Sequence, residues 1–247
     1  MAIRLVTFDV LHTLITPRYP IHVQYARAFE PSLGRLDSQA LKRSFRTALR
    51  QLQAEKPVYG DDSFSWWSAV IKRTALGAGA EPQALDASLS EIVTKLMATF
   101  STKEGYKAFD DALPVLDTLH DELSVRVAVV SNADSRMISV LKDLAFPAHL
   151  DPILLSESEA VEKPSPEIFL RALQRVNVGL EKPITPSECV HVGDELDCDY
   201  RGAQNAGIHA LLLERPGAES QPGRGSLDPA HIVKDMHEVV EWVKERL

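Results

Sequence analysis

Five short runs of almost wholly apolar residues recur along the chain, and they constrain its fold more than any other feature. The runs lie at residues 3–10, 125–130, 153–155, 189–192 and 210–213. Near-continuous apolarity rich in β-branched residues is typical of parallel strands that are covered on both faces. Because helical patterns separate the later runs, the sequence predicts an α/β fold with a doubly wound, Rossmann-like parallel sheet.

The helical patterns fall into two groups. From residue 113 onward, helices are predicted at residues 113–123, 137–144, 167–176, 200–206 and 236–247. Between about residues 21 and 100 no strand pattern occurs, and four amphipathic helices are predicted instead, at 21–29, 38–53, 63–76 and 82–100. We therefore predict a core formed by 1–16 and 104–247, interrupted by an all-helical cap at 17–103. A Gly-, Pro- and Ser-rich surface loop is predicted at 216–229.

Charge and cysteine content limit the class of function. The 247 residues include 35 acidic and 27 basic side chains, which gives a net charge of −8. This balance argues against a nucleic-acid or anionic-membrane partner. No apolar run approaches the ~18 residues of a membrane span. The only cysteines, Cys189 and Cys198, are too few to staple a chain of this length, and the first residues read as a strand and not as a signal peptide. We expect a cytoplasmic protein.

Polar side chains stand where the predicted strands end, which is where open parallel sheets bind ligands. In chain order they are Asp9, Ser131, Asn132, Lys163, Asp194 and Asp199. A carboxylate can attack phosphorus, while a hydroxyl and an ammonium group can hold phosphoryl oxygens. Further carboxylates suit Mg²⁺, which prefers oxygen ligands. The set predicts chemistry on a small phosphorylated molecule with Mg²⁺ as cofactor.

The order of these residues resembles the four motifs of haloacid dehalogenase-type hydrolases. The matching stretches are Asp-x-x-x-Thr-Leu, Ser-Asn, Lys-Pro-x-Pro-x-Ile-Phe and Gly-Asp-x-x-x-x-Asp, and a helical insertion after the first motif matches the cap of that family. The resemblance implies that Asp9 is the nucleophile, Ser131 the phosphoryl-binding hydroxyl and Lys163 the charge-balancing lysine. The paired Trp66 and Trp67, predicted as cap core, look like one particular member of the family.

The resemblance also implies a metal site and its support. The implied ligands are Asp9, the backbone carbonyl of Leu11, and Asp194. Asn132 is implied to join Ser131 and Lys163 in substrate binding, and Thr13 and Asp199 are implied to support the site. Cys198 lies in the same loop without any zinc-type cluster of Cys and His.

The chain departs from the phosphatase pattern at one position. Phosphatases of this family usually carry a second Asp two residues after the nucleophile, as general acid and base, and here that position is Leu11. General acid–base catalysis is typically worth about 10²–10⁴-fold, so we expect weak phosphatase activity. The next residue, His12, is offset by one position, and we expect it to be structural or to contact substrate.

Three functions remain open from the sequence. The first is a Mg²⁺-dependent phosphatase of a small metabolite. The second is a 2-haloacid dehalogenase, because a halide leaves without a proton, although the Gly-Asp…Asp motif suits a metal ion. The third is a non-catalytic module that binds a ligand or a partner, which the loss of the acid at Leu11 favours. The sequence identifies neither the substrate nor the oligomeric state.

Overall fold

The computed structural model describes residues 2–60, 62–218 and 221–247, so two residues of the predicted loop at 216–229 lie outside the description. The chain divides into two compact units. The first comprises Met1–Thr16, Ala108–Ser135 and Ala145–Leu247, and the second comprises Pro17–Lys107 and Arg136–Leu144. The second unit therefore includes residues 136–144, which lie outside the insertion expected at 17–103.

Eight strands are described. They are β1 (Leu5–Phe8), β2 (Ile15–Pro17), β3 (Tyr106–Ala108), β4 (Arg126–Ser131), β5 (Leu150–Leu155), β6 (Cys189–Gly193), β7 (His209–Leu213) and β8 (Ile232–Val233). Six of them form a parallel sheet in the order β5-β4-β1-β6-β7-β8, while β2 pairs with β3. The predicted α/β fold with a parallel, doubly wound sheet is confirmed.

Ten α-helices accompany these strands in the described part of the chain. They are α1 (Ile21–Leu33), α2 (Ser38–Glu55), α3 (Ser63–Gly77), α4 (Pro82–Thr99), α5 (Ala112–Asp117), α6 (Arg136–Asp143), α7 (Ser156–Glu159), α8 (Pro166–Val176), α9 (Gly202–Asn205) and α10 (Met236–Lys244). A wide π-helical turn at Thr118–Glu122 continues α5, and a second one at Leu196–Arg201 precedes α9. None of the described helices is long and apolar enough to cross a bilayer.

The second unit is built around the apolar faces of its helices. In α2 the buried residues recur at helical spacing, at Leu41, Phe45, Ala48 and Leu52. The Asp37 carboxylate accepts a hydrogen bond from the Ala40 backbone N–H at 2.7 Å, a cap that is worth about 1 kcal/mol. Trp66 is buried in this core, as predicted, and Trp67 packs against it.

Strand β1 lies at the centre of the sheet and is buried along its whole length. The chain adds β4 and then β5 on one side of β1 before it crosses to add β6, β7 and β8 on the other side. The carboxyl ends of β1, β4 and β6 are therefore neighbours at the point where strand order reverses, and ligands of open α/β sheets bind at such a point.

Candidate active site

The sheet brings three of the predicted residues to one edge. Asp9 directly follows β1, Ser131 is the last residue of β4, and Asp194 directly follows β6. The backbone N–H of Asp9 donates to the carbonyl of Val192 at 2.9 Å, which continues the pairing of β1 with β6 past the end of the strand. The position of Asp9 is thus set by the sheet and not by a loose loop.

One oxygen of the Asp9 carboxylate receives both of its side-chain hydrogen bonds. Ser131 Oγ donates to Asp9 Oδ1 at 2.9 Å, and Lys163 Nζ donates to the same oxygen at 2.6 Å. Among the described residues no hydrogen bond reaches Oδ2. The carboxylate is therefore held in one orientation by one oxygen while the other is available to a ligand.

Lys163 is buried between two carboxylates. Its Nζ lies 2.6 Å from Asp9 Oδ1 and 2.6 Å from Asp199 Oδ1. Burial alone would lower the pKa of Lys163, but the charges of Asp199 and Asp9 outweigh it and raise the pKa above its ordinary value. Burial likewise opposes ionisation of Asp199, yet Lys163 holds the pKa of that carboxyl well below its usual range. Lys163 is therefore a fixed positive charge.

A buried histidine lies behind this ion pair, and no role was predicted for it. His191 Nε2 lies 3.1 Å from Asp199 Oδ1, and its Nδ1 lies 2.8 Å from Thr7 Oγ1. Burial lowers the pKa of His191, although Asp199 opposes that effect. The only signal in the sequence was one histidine within an otherwise apolar strand. Its contacts orient Asp199, which in turn holds Lys163.

Three further hydrogen bonds and one close approach hold the strand-end loops in place. The Asn132 side chain donates to the Lys163 carbonyl at 2.9 Å and accepts from the Lys163 N–H at 2.7 Å, so the Asn132 amide supports the backbone of the lysine. At Gly193 an added Cβ would overlap the Asp199 carboxyl group. The backbone N–H of Glu195 donates to Asp199 Oδ2 at 2.8 Å. Glycine at position 193 is what lets the strand pass this close to the carboxylate.

Asp194 completes a cluster of three carboxylates. Asp9, Asp194 and Asp199 each offer an oxygen, and these oxygens lie within 4.8 Å of one another. Burial raises the pKa of Asp194 to about 8, and the negative charges of Asp9 and Asp199 add to the effect. Lys163 supplies one positive charge against three carboxyl groups. The arrangement is short of positive charge, and its donors are all oxygens, which fits a hard divalent cation such as Mg²⁺.

The turn after Asp9 contains the remaining predicted residues. The backbones of Leu11 and Ile15 form an isolated β-bridge, so the turn folds back on itself. His12 adopts a positive φ of 65°, in the left-handed region that favours glycine. Thr13 is fully buried, and its Oγ1 has no hydrogen-bond partner among the described residues. No carboxyl group stands at position 11, two residues after Asp9.

This fold and this site define a known class of protein. A family model described as haloacid dehalogenase-like hydrolase matches residues 3–207. The chain therefore belongs to the haloacid dehalogenase-like hydrolases, the family that the motifs indicated.

Individual proteins of this family are also similar to the chain along most of its length. The chain is 32% identical over 242 residues to haloacid dehalogenase-like hydrolase domain-containing protein 3 of Homo sapiens, covering 96% of this chain and 92% of the relative. The likeness to this member, expected from Trp66 and Trp67, is confirmed. The chain is also 29% identical to a glyceraldehyde 3-phosphate phosphatase of Methanopyrus kandleri, covering 79% of this chain and 78% of the relative.

Solved structures show the same fold. The HAD-hydrolase YfnB of Bacillus subtilis, bound to magnesium, superposes with a TM-score of 0.72 at 18% identity over 99% of this chain and 100% of the other. An L-2-haloacid dehalogenase of Xanthobacter autotrophicus superposes with a TM-score of 0.70 at 17% identity over the same shares. At these identities the structures support the fold alone.

Proposed function

We propose that this chain is a Mg²⁺-dependent phosphatase that acts on a small phosphorylated molecule through Asp9. One observation carries the proposal: Ser131 and Lys163 hold Asp9 by Oδ1, and Oδ2 is left without a hydrogen bond from the described residues. A carboxylate fixed in this way is preorganised as a nucleophile, since little of its freedom must be lost on the way to the transition state.

In the proposed reaction Asp9 Oδ2 attacks phosphorus, and the bond from phosphorus to the leaving oxygen breaks. The product is an aspartyl-phosphate, which water then cleaves to release phosphate and restore the carboxylate. Ser131 and Lys163 lie close enough to Asp9 to donate hydrogen bonds to phosphoryl oxygens as well. Lys163 stays protonated throughout, because Asp199 and Asp9 raise its pKa.

The residues present fit Mg²⁺. Asp9 and Asp194 offer carboxylate oxygens from neighbouring strand ends, and the Leu11 carbonyl lies in the turn that follows Asp9. Bound there, Mg²⁺ would neutralise negative charge that develops on the phosphoryl oxygens. The positive charge of the ion would also lower the pKa of Asp194, which burial raises, and would so favour the ionised carboxylate.

Leu11 limits which substrates react well. An alkoxide leaving group needs a proton, and leucine cannot provide one. Leaving groups that are stable as anions, such as carboxylates or activated phenolates, need no such help. We therefore propose that acyl phosphates and aryl phosphates are cleaved faster than alkyl phosphates, by about the 10²–10⁴-fold that general acid catalysis usually contributes.

The test is release of phosphate from a panel of acyl, aryl and alkyl phosphates with and without Mg²⁺. We expect turnover that requires Mg²⁺ and that Asp9→Asn abolishes. Asp197→Asn is the control, since Asp197 is also an aspartate near the site, in the turn Leu196–Arg201, but it is exposed and paired with Arg201. Turnover that survives Asp9→Asn in a folded protein would overturn the proposal.

Leu11 also favours a second candidate, hydrolysis of 2-haloacids, because a halide leaves without a proton. This reaction is measured as halide release from 2-chloropropionate in the presence of a chelator. Halide release without phosphate release would replace the phosphatase proposal. If neither product forms while Mg²⁺ still binds, the chain is a non-catalytic binding module.

We also propose a cytoplasmic location. The support is chemical: Cys189 and Cys198 are both free thiols, as expected in a reducing compartment. Imaging of the tagged full-length chain tests this directly, and secretion or an organellar signal would contradict it.

A further inference from the structure

A second group of side chains that could bind a metal ion lies in the first unit, on residues that the proposed reaction does not use. Asp117 ends α5, and His120 and Asp121 follow it in the wide π-helical turn Thr118–Glu122. Spacings of three and four residues bring side chains to the same side of a helix. His149 faces them from the segment just before β5. Four potential ligands therefore converge from two separate stretches of chain.

The geometry of this group is close. The rings of His120 and His149 stack with their centroids 4.1 Å apart and their planes 6° from parallel. His120 Nδ1 lies 2.7 Å from Asp121 Oδ1, and His149 Nε2 lies 3.6 Å from Asp117 Oδ1. One ligand atom from each of His120, Asp121 and His149 falls within 4.8 Å of the others.

One nitrogen of the group is unsatisfied. His149 Nε2 is buried and has no hydrogen-bond partner among the described residues. Buried polar atoms are usually paired, and leaving one unpaired costs about 1–3 kcal/mol. A metal ion bound at this nitrogen would satisfy it, which the carboxylate of Asp117 at 3.6 Å does not.

The ligand atoms of this group, two imidazole nitrogens and a carboxylate oxygen, favour one class of metal ion. Two imidazoles and a carboxylate suit Zn²⁺ and related transition metals, whereas Mg²⁺ prefers oxygen ligands only. The cluster of Asp9, Asp194 and Asp199 has the opposite character, since all its donors are oxygens. The two groups therefore discriminate between ions by chemistry.

We propose that His120, Asp121 and His149 form a binding site for one divalent transition-metal ion, with Zn²⁺ as its best representative. Binding requires the two stacked rings to turn away from parallel so that both nitrogens point at the ion. The side chain of His120 is 44% exposed, which leaves room for this rotation. The bound ion would connect the end of the α5 segment to the start of β5 and stabilise both.

The test is calorimetric titration of the full chain with ZnCl₂ in an excess of Mg²⁺, which is added to saturate the cluster of Asp9, Asp194 and Asp199. We expect one Zn²⁺ per chain, and His120→Gln and His149→Gln should each weaken binding by roughly ten-fold or more. The matched control is His237→Gln, because His237 is exposed on α10 and outside the group. Zinc binding by His149→Gln that equals that of the control would overturn the proposal.

Two further measurements separate this site from the carboxylate cluster. Asp194→Asn should keep the zinc affinity of the unmodified chain, since Asp194 belongs to the other group. In spectra of the histidine rings, Zn²⁺ should shift the His120 and His149 signals and leave the His237 signal in place. Loss of zinc binding in Asp194→Asn, or ring signals that do not move, would contradict the assignment.

Discussion

Replacement of Asp194 by Asn should stabilise the protein when no metal is present. Burial, together with the charges of Asp9 and Asp199, raises the pKa of Asp194 from 3.8 to about 8. In the unfolded chain the same carboxyl is ionised at pH 7. At pH 7 the folded chain must therefore take up a proton that the unfolded chain has released. Because pH 7 lies roughly three units above the unfolded pKa, this uptake costs up to about 4 kcal/mol of folding free energy. Asparagine has nearly the same shape and carries no such cost.

The pH dependence has a definite sign. A carboxyl whose pKa is higher in the folded state binds more protons there, so the free energy of unfolding falls as pH rises. For Asp194 the loss begins above the unfolded value near 3.8 and is complete above about 8. Asp194→Asn should therefore gain little at pH 4 and most at pH 8.

Urea unfolding at several pH values, with and without Mg²⁺, measures both effects. Without Mg²⁺ the variant should be more stable than the unmodified chain at pH 7. With Mg²⁺ at about 100 times its dissociation constant the unmodified chain should gain about 2.7 kcal/mol, and the variant much less. The control Asp197→Asn, at an exposed side chain, should change stability by no more than about 0.5 kcal/mol. An Asp194→Asn variant that is less stable than the unmodified chain without Mg²⁺ would refute the reasoning.

Three further substitutions test the rest of the site. Lys163→Met leaves Asp9 and Asp199 buried without their counter-charge, so the free energy of unfolding at pH 7 should fall by about 3–5 kcal/mol in urea titrations; an unchanged midpoint would contradict this. Gly193→Ala places a methyl group where it overlaps the Asp199 carboxyl group, so the free energy of unfolding should fall by about 1–3 kcal/mol in urea titrations and most of the turnover should be lost. Full activity of this variant would contradict the prediction. Leu11→Asp should raise phosphate release from alkyl phosphates by about 10²-fold or more, whereas Leu11→Asn should not; no gain in a folded Leu11→Asp protein would mean that the site has changed beyond this residue.

The central strands could be predicted because burial on both faces makes their sequences almost wholly apolar. Their neighbours could not all be predicted, since β2, β3 and β8 have only two or three residues each and show no pattern at that length. The order of strands in the sheet depends on pairing between distant segments, which local patterns do not encode. The longer helices were predicted to within a few residues, because their buried positions recur at helical spacing, whereas the four-residue α7 was not predicted.

The candidate site was predictable where residue type and strand end coincide, as at Asp9, Ser131 and Asp194. The contacts between side chains were not. In the sequence, His191 is one more residue of a predicted buried strand. Only the folded chain shows that its ring lies within hydrogen-bond distance of Asp199. Asn132 was expected to bind substrate, but its amide is hydrogen-bonded to the backbone of Lys163. Whether it also contacts substrate stays a prediction.

The most direct test of the account is whether Asp9 becomes phosphorylated. The protein is mixed with acetyl phosphate and Mg²⁺, quenched in acid and digested, and the peptide that contains Asp9 is analysed by mass spectrometry. We expect that peptide to gain one phosphoryl group when Mg²⁺ is present, and to lose the label when hydroxylamine is added. Phosphorylation elsewhere in the chain, or the same label on an Asp9→Asn protein, would contradict the claim that Asp9 is the nucleophile.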